Sequence, residues 1–235
     1  MNLEQVMKEL EKMGSEQTKK VLGKHGAKEP FFGVKIGDMK KILKSVRGDQ
    51  QLAYDLYETG NGDAMYFAGL LVDGAKMTKA QINKWANKAN WYMLSEYTVP
   101  WVAAENGKGW DLALEWIESK KEKIASGGWA TLSMLVATRP DDALDIKKLR
   151  ALLKRVGKEI HTAENRVRYT MNQFVISVAS YVAELSDEAI AIAEKNGKVE
   201  VNLGGTACKV PYAPDYIQKV IARNGVGKKR KEIKC

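Results

Sequence analysis

Residues 85–101, WANKANWYMLSEYTVPW, hold three of the chain's six Trp, two Tyr, one Glu and one Pro in seventeen positions. The pattern predicts a helix over residues 92–105, on which Tyr92, Glu96 and Pro100 lie four residues apart and share one face. A carboxylate one turn from an aromatic ring suits a cation, because the ring attracts positive charge and the carboxylate neutralises it. The same spacing is typical of aromatic residues buried in a core, so both interpretations stay open.

The segments on either side of this stretch repeat the helical pattern. Apolar residues recur three and four positions apart, and the pattern predicts about twelve helices joined by connections of about two to five residues. Short antiparallel helices in series, without a heptad seam, favour stacked helix pairs of about 35 to 45 residues, as in HEAT and armadillo solenoids. No strict consensus recurs, so a plain globular helical domain is an equal alternative.

Two stretches near the C-terminus break the helical pattern. Residues 199–212, VEVNLGGTACKVPY, alternate on either side of a Gly-Gly pair and predict a small β-hairpin. Residues 228–235, KKRKEIKC, are basic and predict a disordered tail. The sequence therefore predicts one all-α, HEAT-like domain over residues 1–227, which includes the hairpin.

The charge balance favours a polyanionic partner. The chain has 38 Lys and Arg against 29 Asp and Glu, a formal net charge of +9. The tail contributes +4 of this surplus, from five basic residues and one Glu, and leaves +5 for the rest of the chain. The alternative is a Lys-rich surface that contacts only water.

Several function classes are not expected from this sequence. No run of about eighteen apolar residues occurs and the first residues are charged, so we expect a cytoplasmic protein without a membrane span or secretory signal. Cys208, Cys235, His25 and His161 lie far apart, which argues against a metal site and a Cys-His hydrolase. We expect no metal, no cofactor and a monomer.

Two basic segments are candidates for binding nucleic acid. Lys40 and Lys44 lie on one helix face with spacing suited to tracking phosphates, although a solvated surface explains them equally well. Arg166, Arg168 and Gln173 begin a long helix over residues 163–184 and are able to contact phosphates and base edges. In the alternative, the apolar residues of that helix are buried and its polar residues only cap and bridge neighbouring helices.

Three motifs in this order resemble one protein family. They are FFGVKIGDMKKILK from Phe31, WYMLSEYTVPW from Trp91 and RVRYTMNQFVISVASYV from Arg166. Together they resemble the DNA alkylation repair family, the HEAT-like-repeat alkylpurine DNA glycosylases, over nearly the whole chain to about residue 222. The resemblance implies a helical solenoid that binds duplex DNA, alkylated or branched, in a concave basic surface. Active members excise cationic N3- and N7-alkylated purines without a metal.

The resemblance also implies catalytic roles for the central aromatic stretch. Because the leaving base is already positive, the enzyme must mainly stabilise an oxocarbenium-like sugar and position water, which a carboxylate beside aromatic rings does. The family's motif is an aromatic residue, an Asp one turn later and then Pro, which matches Tyr92, Glu96 and Pro100, with Trp91 adjacent. Glu in place of Asp moves the carboxylate by about 1 Å, enough to slow a reaction roughly a hundredfold.

The chain departs from the family at two further positions. The family's phosphate-clamping Arg corresponds to Leu132 and its second lesion-flanking Trp to Gln173, so that Arg139, Arg166 and Arg168 are left to contact phosphate. Two hypotheses follow: a glycosylase that uses Glu96, Tyr92 and Trp91, or a non-catalytic HEAT-repeat module for damaged or branched nucleic acid or another acidic partner. Solvent exposure of Glu96 separates them, since a buried Glu96 argues against the enzyme.

Overall fold

The computed structural model describes residues 1–234. All regular structure in this range is helical, and the only β pairing there is an isolated antiparallel bridge between Gly14 and Val34. The chain divides into two compact units, which comprise residues 1–107, 203–207 and 234 (unit 1) and residues 108–202 and 208–233 (unit 2). The all-α class is confirmed, and the single domain over residues 1–227 stays a prediction.

Unit 1 contains seven α-helices within the described range. They are α1 (Leu3–Met13), α2 (Glu16–Lys24), α3 (Ile36–Val46), α4 (Gln50–Glu58), α5 (Gly62–Leu71), α6 (Lys79–Lys88) and α7 (Val99–Glu105). Polar side chains that accept backbone N–H groups fix where five of them begin, because the first turn of a helix leaves these donors unpaired: Asn2, Ser15, Asp49, Asn61 and Thr78. Every residue of α5 is buried, as expected for a helix that is apolar on all sides, so α5 forms the centre of unit 1.

Unit 2 contains the remaining six α-helices of the described range. They are α8 (Gly109–Trp116), α9 (Glu122–Thr138), α10 (Ile146–Glu159), α11 (Asn165–Tyr181), α12 (Ser186–Asn196) and α13 (Ala213–Ile221). The two longest, α9 and α11, have 17 residues each and pack along one another. Their Trp129 and Phe174 rings are 5.2 Å apart, between centroids, in the core of the unit. Of these two helices, α11 carries Arg166, Arg168 and Gln173, the candidate residues predicted in the segment 163–184.

The predicted β-hairpin over residues 199–212 is wrong. This segment contains no strand and no β bridge. In unit 2 its backbone is instead bound by amide side chains of α11. Asn165 donates to the carbonyl of Asn202 (2.9 Å) and accepts from its N–H (2.7 Å), and Asn172 donates to the carbonyl of Pro211 (2.8 Å). An isolated hairpin is only marginally stable, and these side chains offer its backbone other partners.

The basic segment after α13 has no regular structure in residues 228–234, but several of its groups make contacts. In unit 2, Lys229 pairs with Asp141 (2.7 Å) and donates to the carbonyl of Val136 (3.0 Å) at the end of α9. In unit 1, Lys234 pairs with Glu105 (2.9 Å). The disorder predicted for residues 228–235 stays a prediction, and Cys235 lies outside the described residues. Within residues 1–234, no helix is long and apolar enough to cross a bilayer.

Candidate functional site

The central aromatic stretch does not form the regular helix predicted over residues 92–105. Residues 94–98 form a π-helical turn, in which the N–H of Val99 donates to the carbonyl of Leu94, five residues earlier. Such a turn is closed by hydrogen bonds between residues five apart, where an α-helix joins residues four apart. Tyr92 is half-buried, whereas Glu96 and Pro100 are buried. Of the three residues in the predicted row, only Tyr92 is therefore partly exposed to solvent.

Glu96 lies inside unit 1 and is only 3% exposed. Its neighbours in the chain are also buried, among them Leu94, Val99 and Trp101. A carboxylate that positions water against a DNA sugar must reach the molecular surface, because the sugar that carries the scissile glycosidic bond stays in the DNA strand outside the protein. Solvent exposure of Glu96 is the feature that separates a glycosylase from a non-catalytic module, so its burial counts against the excision hypothesis.

Three aromatic residues of the stretch are half-buried, namely Trp91, Tyr92 and Tyr97, and the ring centroids of Trp91 and Tyr92 are 5.8 Å apart. The Tyr92 hydroxyl is hydrogen-bonded to Nδ1 of His25, at 2.8 Å, and His25 follows the last residue of α2. Trp91 Nε1 and Asn90 Oδ1 are buried, and neither has a hydrogen-bond partner among the described residues. Sequence analysis missed His25 because it lies 67 residues from Tyr92 and has no pattern that links the two.

A loop over residues 29–35 contacts the start of α5 beside Trp91. Asp63 accepts hydrogen bonds from the backbone N–H groups of Phe32 (2.6 Å), Gly33 (2.8 Å) and Val34 (3.2 Å). Burial raises the pKa of the Asp63 carboxyl, and the three N–H donors oppose that shift because they favour the charged form. Sequence analysis did not identify Asp63, which fixes the loop next to the aromatic residues.

In unit 2, α11 presents a row of half-buried polar residues. Arg166, Tyr169 and Gln173 are spaced by three and four positions and so share one face. The guanidinium carbon of Arg166 is 4.5 Å from the Tyr169 ring centroid, a cation–π contact that restricts the Arg side chain. The backbone N–H of Arg166 also donates to Glu122 Oε1 at 2.7 Å. The row therefore combines a cation, an aromatic ring and an amide.

The opposite side of α11 is apolar, so both interpretations of this helix apply together. The side chains that face the core are buried, namely Val167, Met171, Phe174, Val175 and Val178. Asn172 is buried too and binds Pro211, which makes it a structural residue rather than a base-reading one. Arg168 is half-buried, and its Nε has no hydrogen-bond partner in the described part of the chain.

The remaining candidate residues lie in separate places. Lys40 and Lys44 are exposed on α3 in unit 1, and Arg139 is half-buried after the end of α9 in unit 2. Leu132, at the position of the family's phosphate-clamping Arg, lies in the core of unit 2. Over residues 1–234, no group of three His, Cys, Asp or Glu side chains is placed to hold a metal ion.

The chain resembles known proteins over its full length. The profile of the DNA alkylation repair enzyme family matches residues 6–215. Uncharacterized protein Lin0241 of Listeria innocua is 34% identical over 232 residues, covering 96% of this chain and 99% of that protein. Uncharacterized protein Lmo0209 of Listeria monocytogenes is 34% identical over 230 residues, covering 95% and 98% respectively.

A solved structure matches the fold with a TM-score of 0.92 and 39% sequence identity, and the match covers 100% of both chains. That structure is described as representing a new family of proteins related to the HEAT-like repeat DNA glycosylases, with affinity for branched DNA structures. The HEAT-like relationship inferred from the three motifs is therefore confirmed. On the family profile and the full-length relatives together, this chain belongs to the DNA alkylation repair enzyme family.

Proposed function

We propose that this protein binds branched DNA and does not excise alkylated bases. The observation that carries the proposal is the burial of Glu96, which is 3% exposed at the position of the family's catalytic carboxylate. The solved structure described as having affinity for branched DNA supports the binding half of the proposal, because it matches the whole chain at 39% identity. The net charge of +9 agrees with a nucleic-acid partner.

The chain departs from the family at three positions that excision uses, and we infer from them that it does not excise bases. Hydrolysis of the glycosidic bond requires a carboxylate that offsets the positive charge developing on the sugar, and Glu96 lies below the surface. Leu132 supplies no charge to hold the phosphate beside a lesion, and its side chain is buried. Gln173 supplies no aromatic face. With these three residues, the proposed function is DNA binding without catalysis of base excision.

The residues that remain are suited to a branch point. Where strands diverge, phosphates crowd together and bases lose stacking partners, so a branched DNA offers dense negative charge and exposed base faces. Arg166 is held over Tyr169 and is positioned to bind a phosphate, while aromatic rings such as Tyr169 stack on bases of any sequence. We assign further phosphate contacts to Lys40, Lys44, Arg139 and Arg168. We assign Trp91 and Tyr92 to contacts with unpaired bases.

A binding comparison tests the proposal. A labelled four-way junction and a linear duplex of the same arm sequences are titrated with the protein across a salt series. We expect tighter binding to the junction, with an affinity for both that falls as salt rises because counterions are released. Equal affinity for junction and duplex would contradict the proposed preference.

A second measurement tests the absence of excision. Release of alkylated bases from methylated duplex DNA is followed for the wild type and for Glu96→Gln. We expect no release above the protein-free rate from either protein and the same DNA affinity for both. Release by the wild type that Glu96→Gln abolishes would establish a glycosylase and would overturn the non-catalytic assignment.

A further inference from the structure

Two exposed tyrosines lie at the start of the C-terminal helix α13, Tyr212 just before its first residue and Tyr216 within it. In the range that the structure describes, the large hydrophobic side chains that are exposed are Met1, Val21, Tyr212 and Tyr216. Met1 and Val21 are single exposed residues of the kind that most protein surfaces carry. Tyr212 is 45% exposed and Tyr216 is 49% exposed, and they lie one helical turn apart. Two neighbouring aromatic rings at the surface require a more specific explanation.

The opposite side of α13 holds the helix in place. Ala213 and Ile217 are almost fully buried and belong to the hydrophobic core of unit 2. The helix therefore has no freedom to rotate and bury the tyrosines without exposing these residues to water. The tyrosines are on the solvent side because the core of unit 2 already determines which side of α13 faces inward.

Two cations continue the same face. Lys219 is exposed and its Nζ lies 5.1 Å from the Tyr216 ring centroid, and Arg223 is exposed in the turn after the helix. Tyr216 and Lys219 are three positions apart and share a face of α13, while Tyr212 and Arg223 lie four positions before and after them, just outside the two ends of the helix. Asp215 in the first turn is the nearest acidic residue in the sequence, so the row has a surplus of positive charge.

We propose that this tyrosine row, composed of Tyr212, Tyr216, Lys219 and Arg223, binds single-stranded DNA. Bases stack on the two rings, and Lys219 and Arg223 bind the phosphates, which is the combination that proteins use to hold single strands without reading sequence. The inference rests on the proposed function and deepens it, since a replication fork or a flap is a branched DNA with an unpaired arm.

The spacing of the rings fits a single strand. Residues four apart on an α-helix are about 6 Å apart along its axis, close to twice the 3.4 Å step between stacked bases. The two rings are thus placed to contact two bases that lie two steps apart in the strand. A duplex cannot use the rings in this way because its base faces are already stacked, and an acidic peptide would use the cations but leave the rings without a partner.

The test measures binding to four labelled DNAs by fluorescence anisotropy. They are a dT single strand, an abasic single strand of the same length, a linear duplex, and a fork that joins the duplex to dT arms. Wild type is compared with the double variant Tyr212→Ala/Tyr216→Ala and with the matched control Tyr212→Phe/Tyr216→Phe, which keeps both rings. Thermal melting of each variant checks the fold, which is expected to be unchanged because both side chains are exposed.

We expect the double Ala variant to bind the dT strand at least about fivefold more weakly than wild type, because stacking on each ring contributes that much or more. The same variant should lose the advantage of the fork over the duplex, bind the duplex as wild type does, and be rescued by Phe at both positions. Lys219→Ala should lower the salt dependence of dT binding.

Two results would overturn the tyrosine row. One is unchanged dT binding by the double Ala variant, and the other is wild-type binding of the abasic strand as tight as that of the dT strand. If Lys219→Ala abolishes binding of a polyglutamate peptide that the wild type binds, while the double Ala variant keeps its dT binding, the row is assigned to an acidic protein instead. Failure of the proposed function is a separate result: a wild type without junction preference contradicts that proposal, whatever the variants do to dT binding.

Discussion

At the scale of single residues, Asp63 controls the backbone beside the aromatic residues of unit 1. It is a buried carboxylate whose two oxygens accept three consecutive backbone N–H groups of the loop, from Phe32 to Val34. Gly62 next to it donates its own N–H to the carbonyl of Pro30 at 2.8 Å. The loop and the start of α5 are therefore fixed to each other, which orders the surroundings of Trp91.

Asp63→Asn tests this role. We expect a decrease of about 1–3 kcal/mol in the free energy of unfolding, because the amide nitrogen cannot accept and leaves buried N–H groups unpaired. Urea denaturation measures the change. The matched control is Asp38→Asn, which removes a surface carboxylate paired with the exposed Lys41, and it should leave the midpoint unchanged. Equal midpoints for wild type and Asp63→Asn would show that the loop is held by other contacts.

Among the residues that we assign to phosphate contacts, Arg166 is the one held over an aromatic ring. Arg166→Ala should weaken junction binding and reduce the magnitude of the slope of log K against log salt by about 1, the loss of one phosphate contact. Lys198→Ala is the control, since it removes the same charge from a side chain of unit 2 that is 81% exposed and paired with Glu200. An identical effect of both substitutions would mean that only net charge acts.

The residues of the candidate site could be predicted only in part. The motif located Trp91, Tyr92 and Glu96 because these residues are neighbours in sequence, but burial depends on the whole unit, and Glu96 is inside it. His25 and Asp63 could not be identified, since each acts on a partner about 30 or more residues away through contacts that exist only after folding. The place of Leu132 in the core agrees with its apolar side chain.

At the scale of elements, the helices could be predicted and their exceptions could not. Apolar residues that recur every three and four positions indicate that one face of a helix is buried, which is why α11 lies close to the helix predicted over residues 163–184. The π-helical turn at residues 94–98 differs from an α-helix in the carbonyl to which each N–H donates. The amino-acid composition of the segment therefore does not predict which of the two forms. Alternation over residues 199–212 favoured strands, but the amides of α11 compete for that backbone.

Packing of α8 against α9 leads to a prediction for Gly128. A Cβ at this position would lie 2.8 Å from the Ile117 backbone nitrogen and 2.9 Å from the Ala113 carbonyl oxygen, so the helices approach each other there without room for a side chain. Gly128→Ala should therefore decrease the free energy of unfolding by about 1–3 kcal/mol through overpacking.

The matched control is Gly23→Ala in the exposed part of α2. Apart from its chain neighbours and the backbone of α2 itself, no described atom lies within 4 Å of a Cβ at Gly23. The substitution should therefore raise the free energy of unfolding by about 0.5–1 kcal/mol through higher helix propensity. Chemical denaturation of both variants compares a Gly that packing requires with one that it does not. A stabilised Gly128→Ala variant would contradict the close approach of α8 and α9.

At the scale of the whole molecule, the basic residues behind the positive net charge are of two kinds: some are exposed, and others are paired with acidic residues. The net charge of +9 draws in polyanions whichever side chains carry it, since exposed charges act together over distances of about 10 Å at moderate salt. Lys229 and Lys234 are each only 19% exposed and are paired with Asp141 and Glu105. Lys228 and Lys231 in the same segment are exposed. The basic C-terminal segment therefore combines exposed charges with charges that are paired to acidic residues of the fold.

Two double variants with the same change in charge separate these roles. Lys229→Ala/Lys234→Ala and Lys228→Ala/Lys231→Ala each remove two positive charges, so both should weaken DNA binding to a similar extent. Only the first should lower the free energy of unfolding, by about 1–3 kcal/mol, and with it the unfolding midpoint. It removes paired ammonium groups that also bind the backbone carbonyls of Val136 and Val72, near the ends of α9 and α5. If the segment is disordered in solution, as its composition predicts, the two variants will unfold at the same midpoint. A lower midpoint for the first variant alone would mean that Lys229 and Lys234 are held in the folded structure, and that their charge cannot be removed without loss of stability.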